Sequence, residues 1–147
     1  MVSVEATAPG KFEFKATNVG KTPAKITAIY YANSALTRDQ KFEVTPEYEK
    51  GESLMGAPLG LLPSSASIII CRFEHAEMRG NRSPEEWQSF FARGFANVFT
   101  YGKIAYYDTL EVSPKEPHLT KWFYWHLPMN GALPIADPRR PEYNTYT

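Results

Sequence analysis

The sequence predicts a mainly β fold, an immunoglobulin-like antiparallel β-sandwich with one short inserted α-helix at about residues 83–93. Three observations point there. Several short runs alternate apolar and polar side chains with period two, as half-buried strands do. Nine glycines and twelve prolines punctuate those runs. One stretch alone combines helical spacing with start and stop signals. At 147 residues the chain suits a single domain, able to bury roughly 68–70% of its unfolded surface. Residues 128–147 are expected to be an irregular C-terminal tail.

The first two strands are read from alternation. Phe12, Phe14 and Ala16 oppose Lys11, Glu13, Lys15 and Thr17; then Ala24, Ile26, Ala28 and Tyr30 alternate with Lys25, Thr27, Ile29 and Tyr31. Between them lies NVGKTPA, residues 18–24, whose Gly20-Lys21-Thr22 ends like a nucleotide-binding loop. That loop needs a glycine five positions before Gly20 and a helix after Thr22. Lys15 occupies the first position and Pro23 follows Thr22, so the stretch is expected to be a tight turn, with Asn18 and Gly20 at positive φ.

Residues 34–63 are weakly patterned, with short extended pieces such as 41–44 and one or two edge strands expected. In residues 66–73, ASIIICRF, apolar side chains fall on both parities, as in a central strand covered on both faces. The helix starts with Ser83 as N-cap, Pro84 at N1 and Glu86 completing a capping box. Trp87, Phe90 and Phe91 share one face, and Gly94 stands where a glycine ends a helix. Residues 97–110 and 119–126 are rich in aromatic and β-branched residues and read as the main hairpin.

Composition excludes some functions. Sixteen basic and sixteen acidic residues cancel, so no overall field gathers nucleic acid or an anionic membrane. The one cysteine, Cys71, cannot form an internal disulfide and fits either redox compartment. The most apolar neighbourhood, 59–71, is cut by Gly60, Pro63 and three serines and cannot span a bilayer. Residues 1–4 have neither the basic nor the apolar region of a signal peptide; they read as the abrupt start of a strand from which an upstream segment is missing.

The chemistry-bearing residues have ordinary explanations. Cys71, His75 and Met78 echo a copper-binding run, but no histidine precedes His75 to complete the set; a buried cysteine with a solvent-facing His75 is expected. His118 and His126 share strand parity but lie more than ~20 Å apart along an extended strand. No zinc or calcium pattern is present, and no cofactor, metal or catalytic residue is expected. Asp108 shares parity with Ile104 and Tyr106 and is expected to accept backbone N–H groups that fix a loop, acid–base catalysis being the rival role. In the WFYW run, aromatics occupy both faces of one strand. Packing under the helix aromatics, a partner surface or a glycan platform could each explain Trp122, Tyr124 and Trp125.

The combination of NVGKTPA (18–24), GKIAYYDTL (102–110), HLTKWFY (118–124) and YNTYT (143–147) resembles a group of uncharacterised, mostly bacterial, membrane-anchored proteins. In that group one or two transmembrane helices precede a β-sandwich whose first hairpin carries an N-x-G-x-T-P-A turn. The resemblance implies that this chain is the soluble part of a membrane-tethered protein, on the extracytoplasmic side. Flanking charges outside the chain would set that orientation. The last strand has Phe123 where the group carries a cysteine, so no role for that thiol transfers. The expected function is a non-enzymatic interaction or structural module meeting a protein partner. A carbohydrate- or small-ligand-binding sandwich is the alternative, and a hydrolase using Asp108 with Tyr106 is third. The surface expected to carry it is Trp122, Tyr124, Trp125 and Asp108.

Overall fold

The computed structural model describes residues 1–37, 52–53, 60–110, 116–128, 132–136, 141 and 144–146. The chain folds into two antiparallel sheets. The smaller has the order β1-β2-β6, from β1 (Val2–Ala8), β2 (Lys11–Thr17) and β6 (Ser67–Glu74). The larger is built on three long strands, β3 (Ala24–Thr37), β7 (Ala96–Asp108) and β8 (His118–His126). Its order is β10-β8-β7-β3-β4, with β4 (Glu52–Ser53), β5 (Leu61–Leu62), β9 (Ile135–Ala136) and β10 (Thr145–Tyr146) as short additions. Residues 41–44 lie outside the described residues. Among the described residues no helix is long and apolar enough to cross a membrane.

The inner faces pack as the alternation predicts, since period two sends one parity of each strand to the core. Phe12 and Phe14 of β2 and Phe73 of β6 meet Trp122 of β8 and Val98 and Ile104 of β7 in one buried cluster. Rings bridge the layers: Phe14 lies edge-on to Tyr124 at 5.5 Å, and Phe73 tilts against His126 at 4.5 Å.

Two bulges change the expected parity. In β6, Phe14 faces Cys71 whereas Lys15 faces Ile69, leaving Ile70 as an extra residue. Alternation therefore skips a beat, and both Ile70 and Cys71 are buried while Ile69 is 42% exposed. The doubled apolar parity comes from this bulge. Contrary to expectation, β6 stands at the end of its sheet among the described residues, not in the middle. In β3, Ile26 faces Tyr106 and Ala28 faces Ala105, with Thr27 extra. Beyond it Ile29 is buried and Tyr30 turns outward under the Lys103 ammonium. Thr27 Oγ1 donates to the Ala105 carbonyl, satisfying the bulge.

Helix α1 (Pro84–Ala92) has both capping-box bonds, Glu86 N–H to Ser83 Oγ and Ser83 N–H to Glu86 Oε2. It ends in a Schellman motif: Gly94 at φ +71° donates to Phe91 O, Phe95 donates to Phe90 O, and the Phe90 and Phe95 rings meet at 5.5 Å. Its buried Trp87 and Phe91 enter the space between the sheets beside His75, at the end where β6 and β8 finish. The helix thus plugs one end of the sandwich and does not cover the outer face of β8. There Phe123, fully buried, packs on Phe99 and Tyr101. The tail reaches β8 through Asn144, which accepts from Phe123 N–H and donates to Phe123 O like one more strand residue.

Candidate functional site

The NVGKTPA turn does not close a hairpin. Its two flanking strands belong to different sheets, β2 to the smaller and β3 to the larger, so the turn arches across the open end of the sandwich. Asn18 makes this possible. Its Oδ1 accepts from Gly20 N–H at 2.9 Å, and its Nδ2 donates to Thr22 O at 2.8 Å and Leu62 O at 3.0 Å. Its backbone bonds Ala66 and Ser65, and Ser64 Oγ donates to Gly20 O. One amide side chain makes three hydrogen bonds, two that shape the arch and one that ties it to the segment at Leu62. Neither Asn18 nor Gly20 has positive φ; among neighbours that conformation falls to Ser65 at φ 64°. The turn is held by hydrogen bonds, with no left-handed residue in the motif itself.

Beneath the arch a cleft of about 380 Å³ opens between the sheets, with Thr22, Tyr106, Asp108, His118 and Thr120 among its polar lining and Ile26, Leu62 and Ile104 among its apolar floor. Asp108 accepts from Leu110 N–H at 2.9 Å and from Thr22 Oγ1 at 3.0 Å, both on Oδ1. The Leu110 bond, then Thr22 and the nearby His118, hold its carboxyl below the usual carboxylate range. Asp108 is therefore an anion at neutral pH with no proton to give, and it fixes the loop after β7 as expected. Tyr106 and His118, in register across β7 and β8, bring their rings to 5.5 Å.

The rim is apolar. Val19 on the arch, Leu61 beside the Asn18-bound Leu62, and Leu110 beside the Pro23-bound Thr109 are 68%, 62% and 72% exposed. Lys21 is exposed in the turn, and no helix follows to complete a phosphate cradle.

Of the four residues expected on a surface, only Asp108 lines this cleft. Trp122 is 1% exposed and lies against Gly102, where an added Cβ would meet its ring at 2.3 Å and Tyr30 O at 2.2 Å. It is core, not a stacking platform. Tyr124 also points inward, its hydroxyl donating to Val2 O across the sheets at 3.0 Å. Trp125 faces outward, half-buried, in register with Phe99 and Ile135 near the opposite end. The four do not converge.

At that opposite end the fold unites two histidines far apart in sequence. His75 Nε2 lies 3.2 Å from His126 Nδ1, and His126 Nε2 lies 2.9 Å from Thr100 Oγ1, which donates to Asn33 Oδ1 at 2.7 Å. His126 is wholly buried among Phe12, Phe14 and Phe73. Burial pushes His75 down to about 4, and burial followed by the neighbouring His75 pushes His126 down to about 3. His75 is thus half-buried and paired, not solvent-facing. The parity that His126 shares with Trp122 was the one sequence signal for its burial; its pairing with a residue 51 positions away had none. Among the described residues no group of three His, Cys, Asp or Glu could hold a metal ion.

No family model matches the chain, and no curated protein does. A solved structure of a protein from Archaeoglobus fulgidus aligns over 86% of this chain and 92% of its own length, at 12% identity and a TM-score of 0.28. A likeness that low bears on neither fold nor function.

Proposed function

We propose that this chain is a non-enzymatic interaction module whose working surface is the arch end of the sandwich. The observation that carries the reading is exposure beside the cleft: Val19, which lines it, and Leu61 and Leu110, next to or two residues from its lining Leu62 and Asp108, are large apolar side chains held out on three segments. Scattered exposed apolar residues mean little, but a group on hydrogen-bonded loops is a preorganised contact for a protein partner. Asp108 and Asn18 serve it by holding those loops still. Asp108 argues against the acid half of a hydrolase, because Leu110 and Thr22 hold it as an anion with no proton to give.

Selection of displayed peptides on the folded chain tests this. Enriched binders should lose about tenfold or more in affinity with Leu110→Asp, as expected for a contact at a binding centre, and be indifferent to Ile135→Asp at the far end. Binders that ignore the arch end, or none at all, would overturn the reading.

The cleft supports a second reading, a small-ligand-binding sandwich, since its volume and mixed lining fall in the range of ligand sites. A glycan platform has less behind it, because Trp122 is buried; Trp125→Ala on a glycan array tests what remains. The motif resemblance supports a further proposal, that the full-length protein carries this domain on a membrane, on the extracytoplasmic side. Fractionation of cells and protease access to the domain would test both points.

A further inference from the structure

His75 of the histidine pair opens onto a second cavity, and with Asn33 Oδ1 assigned as the acceptor at Thr100 the hydrogen-bond directions follow. Thr100 has one hydroxyl proton and gives it to Asn33 Oδ1. At the 2.9 Å contact, His126 Nε2 must therefore be the donor. A neutral His126 then has only a lone pair at Nδ1, so the proton in the 3.2 Å contact comes from His75 Nε2. A neutral His75 has no second proton. Its Nδ1 is left as an acceptor, and among the described residues nothing donates to it.

That nitrogen lies 3.7 Å from where a Cβ on Gly10 would stand. Gly10 and His75 both line a cavity of about 370 Å³ between the β1–β2 turn and helix α1. Its walls include Trp87 and Phe91, whose rings lie parallel within 8° at 6.0 Å. The charged groups on its lining, Lys11 and Glu74, neutralise each other at 3.1 Å. With flat aromatic walls, no net charge, His75 Nδ1 as an acceptor of defined tautomer and the buried Trp87 Nε1–H, unpartnered among the described residues, as a donor, the site discriminates by shape and by hydrogen bonding.

We infer that this cavity binds a small neutral ligand with a planar apolar body and one N–H or O–H donor, which bonds His75 Nδ1. The volume falls within the span of small-ligand pockets. The buried chain from Asn33 to His126 acts at a distance: it sets which nitrogen of His75 faces the ligand, and so requires a donor there. This site is independent of the arch end, and either could exist without the other.

Histidine-edited ¹⁵N NMR of the full chain at pH 7 tests the inference, with 4-methylphenol as probe and 4-methylanisole as its donor-less control. His75 should show an unprotonated Nδ1, and the phenol should shift that resonance saturably. The ether should bind up to about tenfold more weakly, the worth of one hydrogen bond. Ala92→Phe, which places a ring in the cavity from the exposed helix end, should abolish the shift while leaving the circular dichroism unchanged. A protonated Nδ1, equal binding of phenol and ether, binding that survives Ala92→Phe, or no saturable shift would each overturn it.

Discussion

Acid should loosen this fold at a pH where most proteins of its kind are still at their best, and His126 accounts for it. In the unfolded chain the imidazole titrates near 6.5; in the folded chain burial among Phe12, Phe14 and Phe73, and then His75, hold it down to about 3. Thr100 and Asn33 are neutral, and Lys11 and Glu74 beside His75 offset each other. Below pH 6.5 the unfolded state takes up a proton that the native state refuses, so stability is complete above that pH and drains as pH falls towards 3. The loss is about 1.36 kcal/mol per unit, and hence about 2.7 kcal/mol at pH 4.5 relative to pH 8. His75, held near 4 but closer to solvent, adds to the loss in the same direction. Asp108 also loses its contribution on acidification, but only below its unfolded value of 3.8, outside this window.

Against a typical total of about 5–15 kcal/mol the loss is large. With a slope of about 2 kcal/mol per M, the urea midpoint moves by more than ~1 M. Urea titrations followed by tryptophan fluorescence at half-unit steps from pH 8 to 4.5 measure it. His126→Phe, which leaves Thr100 bonded to Asn33, should remove the His126 share of the slope, about half, and leave the His75 share. A wild-type midpoint that stays level between pH 8 and 5 would refute the reasoning, whatever the variant does.

Three further outcomes follow from the packing. Gly102→Ala should destabilise by about 3 kcal/mol or more, because the new methyl must displace both Tyr30 O and the Trp122 ring; thermal melting checks it. Asn18→Ala should cost about 2–3 kcal/mol by releasing three hydrogen bonds that hold the arch, and hydrogen exchange should speed at Gly20 before it does in β7. Gly94→Ala should cost about 1 kcal/mol for an L side chain at φ +71° with open space around it, whereas at Gly20, which lacks positive φ, any cost comes from the new methyl pressing on Asn18 Oδ1 at 3.1 Å; paired chemical denaturation, with and without Asn18→Ala, separates the two causes.

The sequence alone determined whatever depends on neighbours along the chain. Strand alternation in β2, the aromatic and β-branched composition of β7 and β8, and the helix with its Ser83 cap and Gly94 stop were legible because propensity, capping and period two act over a few residues. That residues 18–24 turn the chain was legible too, but not that they span two sheets without a positive φ; the loop-fixing role of Asp108, which bonds a backbone only two residues away, was legible. The tertiary structure decided what depends on partners brought from afar. The bulges at Ile70 and Thr27 arise from register with another strand, and the one at Ile70 buries side chains of both parities in a strand that stands at the end of its sheet among the described residues. The same tetrapeptide that reads as an aromatic surface divides into a buried Trp122 under Gly102 and an outward Trp125, because only the sheet decides which face meets the core. The arch joining two sheets and the meeting of His75 with His126 depend on packing across the sandwich, a distance over which periodicity in one chain segment carries no information.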